Sequence, residues 1–269
     1  MKKLLTLILS SLAFFSSAAA QSSYAYLSDV KLGANPTVQA DNMELVKPSV
    51  AVARGRIPSG DARHYKMLFS DRVKGFETWK ISPKASVTLL TFPNLAPKTA
   101  SLEHLRLMVS GDDALPSEFE VGYVFKYTLT NNVVTNIAQV NTRAVTGVYE
   151  QAVFISKTTT FRPLNLALNF IDVYTTEREM RRDGKTMENN PSGLSISDKN
   201  PLLRSFKLAR QGRIKLLTSN VEYVSVTSAH LEVGLSGRGF GWDFSETYFY
   251  ATISDLTNEV LELKQGYTP

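Results

Sequence analysis

The sequence predicts an all-β protein, an antiparallel β-sandwich of jelly-roll-like or Ig-like type with little helix. Three observations carry that expectation. Apolar and polar residues alternate along most of the chain, and clusters of Pro, Gly, Asn and Asp interrupt the alternation. No repeat at a solenoid or propeller period and no low-complexity segment intervenes. One buried face and one wet face per strand is the pattern of a two-layer antiparallel packing.

Residues 1–20 come first and read differently from the rest. Lys2 and Lys3 form a basic start, 4–15 is an apolar run, and Ala18-Ala19-Ala20 supplies the small residues of a cleavage site before Gln21. The run is shorter than the roughly 20 residues needed to cross a bilayer, so 1–20 is expected to be a cleaved signal peptide of an exported chain. Strands are then expected at 24–32, 50–54, 64–69, 76–81, 87–92 and 103–109. The clearest is 119–129: Phe119, Val121, Tyr123, Phe125, Tyr127 and Leu129 share one face, and Glu120, Gly122, Lys126 and Thr128 the other. Asn131-Asn132 marks a hairpin into a strand at 133–140. Strands at 145–155, 164–170, 203–209, 213–217, 221–226, 231–235, 248–253 and 259–264 complete the set. Residues 176–201 break the pattern, with a helix-forming start at Glu177-Arg178-Glu179-Met180-Arg181-Arg182 and a polar stretch holding Gly184, Pro191 and Gly193. The expectation is one sandwich body over 21–269 with 176–201 as a surface excursion. The alternative is a domain boundary there, giving units at 21–180 and 201–269.

Thirty Lys and Arg against 25 Asp and Glu give a net charge of +5, of which Lys2 and Lys3 leave with the signal. Both signs are interspersed, which argues for solubility and against nucleic acid as a partner. The absence of cysteine excludes disulfides, zinc-thiolate sites, a cysteine nucleophile and a lipidated N-terminal thiol. His64, His104 and His230 each read as polar-side strand residues, and no His-x-His or His-Glu-x-x-His pattern joins them, so neither a metal nor a cofactor is expected. No Gly-x-Ser-x-Gly elbow occurs, and no catalytic residue is assigned. No segment after the signal is long and apolar enough for a transmembrane helix.

The stretch Arg238-Gly239-Phe240-Gly241-Trp242-Asp243-Phe244 combines a bendable backbone with a guanidinium, an indole and a carboxylate, the mixture with which proteins hold sugars. Arg238, Trp242 and Asp243 are therefore the expected ligand-binding residues, against the alternative of a hairpin whose aromatics fill the core. Tyr248 and Tyr250 join them, because they alternate with Phe249 and are expected to face outward. Arg178, Arg181, Arg182 and Lys185 suit either an anionic glycan or lipid headgroup, or simply a solvated loop.

These features make the expected function that of an exported periplasmic or cell-surface binding or assembly protein. It would contact a polysaccharide, other envelope proteins or further copies of itself through a sandwich surface. One alternative is a polysaccharide hydrolase or lyase using Asp243. The other is an outer-membrane β-barrel, against which Glu262 and Lys264 interrupt the last strand and the chain ends without an aromatic residue.

Overall fold

A computed structural model describes residues 20–70, 75–188, 190, 192–199, 201–218, 220–237, 244 and 247–267. The expected signal, save Ala20, lies outside these. In chain order the elements are β1 (Gln21–Lys31), β2 (Thr37–Met43), β3 (Leu45–Val46), α1 (Pro48–Ala53), β4 (Leu68–Phe69), β5 (Phe76–Thr91), β6 (Ala96–Ala100), α2 (Leu102–Ser110), β7 (Val124–Thr130), β8 (Val133–Gln139) and α3 (Thr142–Thr146). They continue with β9 (Val148–Ile155), β10 (Thr160–Phe161), β11 (Leu164–Phe170), β12 (Asp172–Tyr174), α4 (Glu177–Met180), β13 (Ser195–Ser197), β14 (Leu203–Leu217), β15 (Tyr223–Val226), α5 (Ser228–Leu235), β16 (Tyr248–Ser254) and β17 (Glu259–Gln265).

The fold is all-β in class, but the strands do not lie as the two facing sheets of a sandwich. They close into two small five-stranded barrels. In the first, β2-β1-β7-β8-β5 closes through β2 against β5; in the second, β11-β9-β16-β17-β14 closes through β11 against β14. Closure is possible because β5 and β14 are each one long bent strand where the alternation suggested two short ones. Each pairs with strands on both sides, and a break in register bends it partway along. Side chains fill both interiors: Leu89, Leu105, Phe119, Phe125, Val134 and Ile137 in the first, and Val153, Leu166, Leu216, Phe249, Ala251 and Leu263 in the second. Each large apolar side chain so buried contributes about 1.5–3 kcal/mol.

The two barrels are the same unit repeated. From Lys80 to Lys207 is 127 positions, and from His104 to His230 is 126. The parallel pairing of the long strand jumps alike in both, from Ile81–Val134 to Ser86–Asn136 and from Leu208–Val260 to Arg213–Glu262. Leu89-Leu90-Thr91 returns as Leu216-Leu217-Thr218, and the helix that follows returns with His-Leu and a closing Ser-Gly at the same places. Asn132 and Asn258 both take positive φ (60° and 54°) at the last hairpin of each barrel. In the first of these the Asn131-Asn132 turn joins β7 to β8 as the sequence indicated.

Expected strands at 103–109 and 231–235 are helices, α2 and α5. The Ser101 side chain accepts from His104 N at 3.1 Å, and Gly111 ends α2 at φ 69°. Leu105, Leu107 and Val109 do alternate, but Leu102, Leu105 and Met108 also repeat at helical spacing, and the cap decides between the two periods. The expected strand at 50–54 is α1, entered through Pro48, and of 64–69 only Leu68–Phe69 is strand. The strand expected from Phe119 begins at Val124.

In each barrel the second and third strands are joined by a long arm with a short antiparallel ladder at its base, β3 with β4 and β12 with β13. Each arm reaches the other barrel. From the first arm, the His64 carbonyl accepts from Ser254 Oγ at 2.9 Å, His64 Nδ1 shares a hydrogen bond with Thr257 Oγ1 at 2.9 Å, and Arg63 pairs with Glu259 at 2.9 Å. From the second, Arg178 Nη1 donates to the Phe119 carbonyl at 2.9 Å, and Arg182 donates through Nε to Ser117 O at 3.0 Å and through Nη2 to Phe119 O at 2.8 Å. Arg181 donates to Asp113 O at 2.7 Å. The start of the 176–201 excursion is thus no solvated loop: Arg178 is 4% exposed, because the carbonyls of a neighbouring barrel replace water around its charge.

Candidate functional site

A cleft of about 540 Å³ runs between the barrels, and its wall is the segment Glu120–Val124 that leads into β7. Extended backbone outside a sheet needs partners for its polar groups, and here they are supplied at the two ends of the segment, Glu120 and Val124. Glu120 N donates to Leu90 O at 2.8 Å, Gln139 Nε2 donates to Glu120 O at 2.9 Å, and Gln139 Oε1 accepts from Leu90 N at 2.7 Å. Val140 N donates to Val124 O at 2.9 Å, and Arg178 and Arg182 hold the carbonyl of Phe119 just upstream. Gly122 lets the segment lie on Gln139, since a Cβ there would stand 2.4 Å from Gln139 Nε2.

The result is an exposed aromatic between two held points, Glu120 and Val124. Tyr123 is 61% exposed, and Tyr26, 46% exposed, stands on β1 opposite Val124, the next residue along. Phe92 and Tyr149 add two further rings to the lining, and Leu90, Pro93, Leu95 and Val121 add apolar surface. Exposed rings on restrained backbone lose little entropy on contact, which is the property of a binding anchor.

Two of the charged groups in the cleft are already engaged. Arg143, at the start of α3, donates Nε and Nη2 to Asp255 at 2.8 and 2.7 Å and lies over the Tyr149 ring at 3.7 Å. That guanidinium holds the Asp255 carboxyl below the usual carboxylate range. Glu120 pairs with Arg182 at 3.2 Å, while Arg182 itself stacks over Phe92 at 4.1 Å. Burial raises the Glu120 carboxyl above its ordinary value, with Arg182 and Arg178 opposing the rise. Glu150 is the third charged side chain and is exposed.

Neither of the sequence-derived candidates among the described residues, Tyr248 and Tyr250, lines this cleft. Arg238, Trp242 and Asp243 lie outside the described residues. Phe249, Ala251 and Ile253 face into the second barrel as expected, with Tyr248 and Tyr250 on the opposite side. Yet Tyr248 is only 3% exposed, because Val173 and Ile196 of the arm ladder pack over that row and the ring lies against Gly266. Its hydroxyl donates to Tyr267 O at 2.9 Å. Tyr250, half-buried, meets Tyr248 edge-on at 5.5 Å.

The histidines are not wet strand residues. His64 is 1% exposed in a 3-10 turn, His104 packs on helix α2 against Phe119, and His230 is exposed on α5. Among the described residues no group of three or more His, Asp or Glu is placed to hold a metal ion. A second cleft of about 570 Å³ lies where the first arm meets the bend of β14, lined by Ser59, Gly60, Asp61, Arg63, His64, Arg210 and Gln211. It holds no Phe, Tyr or Trp ring, and its charges are mixed. The inter-barrel cleft was missed because Tyr26 and Tyr123 look like any alternating strand residue; only Gly122, breaking an otherwise bulky run, signalled it.

The chain matches no protein-family model, and comparison with curated proteins and with solved structures gives no significant match.

Proposed function

We propose that this is an exported binding protein that holds a polymer chain in the groove between its two barrels. The observation that carries the reading is the pair Tyr26 and Tyr123, exposed rings that both line the groove beside the paired positions Tyr26 and Val124. Five-stranded barrels of this connectivity, with strands three and five parallel and a helix after strand three, resemble the OB type, which hosts oligosaccharides and oligonucleotides. That is analogy of fold, and the groove is the site-level support. Export rests on residues 1–20. Closures of five strands with filled interiors favour a binding protein over a membrane barrel, which takes roughly eight strands or more. Among the described residues no helix is long and apolar enough to cross a membrane.

A hydrolase reading has one observation behind it: two carboxylates, Glu120 and Glu150, on the walls of one cleft, the former raised by burial. Arg182 at 3.2 Å occupies Glu120 and favours the binder. Co-sedimentation with insoluble cell-wall polysaccharides tests both. Tyr26→Ala and Tyr123→Ala should each weaken retention about tenfold or more, as loss of a central aromatic anchor does. Retention equal to wild type in both variants would remove the groove reading. Release of soluble sugar by wild type, abolished in Glu120→Gln, would install the hydrolase.

A further inference from the structure

We infer that β15 is an open sheet edge that pairs with the β15 of a second molecule of this chain, making a weak two-fold dimer. In each barrel the long strand turns into an edge strand, β6 in the first and β15 in the second, and each edge strand pairs with the long strand alone. The two ladders correspond residue by residue. Leu90 N donates to Gln139 Oε1 at 2.7 Å and Leu217 N to Gln265 Oε1 at 2.9 Å, so equivalent leucines are held by equivalent glutamines. Opposite Leu90 stands Pro97, and opposite Leu217 stands Tyr223. In an antiparallel ladder a residue whose polar groups turn away from its neighbour faces one whose polar groups turn the other way, out of the sheet. The outward N–H at this position is therefore missing from the first barrel and present in the second. The next residue differs in the same sense, Lys98 in β6 and Val224 in β15. Proline and lysine are residues with which proteins blunt an exposed edge, one by removing a donor and the other by its charge. β15 has neither. Tyr223, Val224 and Ser225 are all exposed, and among the described residues no group hydrogen-bonds the outward N–H and C=O of Tyr223 and Ser225.

A second molecule fits this edge because the edge complements itself. A two-fold axis at Val224 sets Tyr223 opposite Ser225 of the partner subunit and Ser225 opposite Tyr223 of the partner subunit. Each such pair exchanges both of its hydrogen bonds, which satisfies every outward N–H and C=O of the two residues. Val224 meets Val224 of the partner subunit as a non-hydrogen-bonded pair, the kind whose side chains lie closest. Glu222 falls opposite Val226 of the partner subunit, so no charge meets its like. The same axis on β6 would leave hydrogen bonds unmade at Pro97 and bring two Lys98 side chains together. Isologous pairing uses each edge once and closes the assembly at two. A ladder this short buries less than the roughly 1,200 Å² of a stable interface, so the dimer forms only at high concentration. None of the residues lining the inter-barrel groove lies on β14 or β15, so the pairing stands or falls independently of the groove.

Sedimentation velocity on the mature chain, from about 5 to about 500 μM, should show monomer passing to dimer and no further. Tyr223→Pro copies Pro97 and Val224→Lys copies Lys98. Each should move the midpoint about tenfold or more to higher concentration. If Tyr223→Pro does not fold, Val224→Lys carries the test, since Val224 is 39% exposed. The chain has no cysteine, so Val224→Cys reports the axis directly. At a Cα separation of about 4.5 Å the two thiols lie within disulfide reach. Under mild oxidation this variant should cross-link about tenfold faster than Lys98→Cys, its counterpart on the first barrel. A chain that stays monomeric at every concentration, a dimer as strong in Val224→Lys as in wild type, or growth beyond two would each overturn the inference. So would cross-linking of Val224→Cys no faster than that of Lys98→Cys.

Discussion

Replacing Arg182 by Ala should detach the second arm from the first barrel. The side chain is 8% exposed and makes four contacts: two carbonyls, at 3.0 and 2.8 Å, the Glu120 carboxylate at 3.2 Å and the Phe92 ring at 4.1 Å. Hydrogen bonds from a charged donor are worth about 1.5–3 kcal/mol each, and stranding a buried carboxylate costs about 3–5 kcal/mol. Two factors lower the total: Arg178 still serves Phe119 O, and Glu120 is a third exposed. The expected loss is about 3 kcal/mol. Urea denaturation reads the global part. Trypsin reads the local part, because cleavage at Arg181 and Lys185 follows the open fraction of the arm and should accelerate about 100-fold for 3 kcal/mol of local opening. Arg182→Ala with Glu120→Gln should be less damaging than the single change, since no carboxylate is stranded. The deficit should also depend on pH. A carboxyl raised by burial contributes most below its unfolded value and loses that contribution as pH rises through the folded one. Without Arg182 to oppose the rise, the deficit should be larger near neutral pH than at about pH 4. A loss under about 0.5 kcal/mol with unchanged cleavage would show that the arm is not held by this residue.

His64→Gln should cost about 1–2 kcal/mol near neutral pH, measured by urea denaturation, from the lost contact with Thr257. Burial, then Arg63, holds the His64 imidazole below its ordinary value against Glu259 and Asp61. A lowered histidine contributes stability above its unfolded value and loses it as pH falls through the folded one, so the gap to His64→Gln should narrow from about pH 7 to about pH 5. A constant gap would refute this. Gly122→Ala should cost about 1–3 kcal/mol by driving Gln139 from the Glu120–Tyr123 segment, and should weaken polysaccharide retention along with stability. Unaltered melting would mean that Gln139 moves aside freely. Val134→Ala and Leu263→Ala, one in each core, should each cost about 2–4 kcal/mol, and their effects should add, because the two interiors are separate.

The all-β class was legible because the strands expected at 133–140, 164–170, 248–253 and 259–264 are β8, β11, β16 and β17 to within a residue, and the one expected at 119–129 is β7 from Val124 onward. Closure was not legible. Whether β2 turns its free edge to β5 depends on pairings about 40 residues apart, which alternation within one strand does not encode. The two helices misread as strands are the same element in the two copies, and in both the error lay in following every second residue past the residue before the helix, Ser101, which caps α2, and Thr227, which precedes α5 without a capping bond. The repeat itself escaped notice because its period is a whole domain and compensating changes blur it. Met108 fills its site in α2, whereas α5 has Gly234 there, and the Phe244 ring takes the space so close that a Cβ would stand 2.1 Å from it. Of the candidate residues, Tyr248 and Tyr250 do lie on the outer side of β16, but their burial under the arm ladder was not legible in the alternation.

The difference between the copies explains why the groove forms where it does. Both arm ladders cover the outer row of the first and fourth strands of their own barrel. In the first barrel Phe69 meets Tyr24 edge-on at 5.6 Å; in the second Ile196 and Val173 pack over Tyr248, Tyr250 and Phe154. Register fixes the correspondence, for Tyr26 stands opposite Val124 as Phe154 stands opposite Tyr248. The three-residue ladder β12–β13 reaches Phe154, whereas the two-residue ladder β3–β4 stops short of the equivalent Tyr26. One barrel therefore spends its aromatic row on holding its arm and the other keeps a ring in solvent. That ring borders the cleft into which the second barrel brings Tyr149 and Glu150. A binding groove at this junction needs both copies and their asymmetry: two barrels to make its walls, and one shortened ladder to leave Tyr26 uncovered.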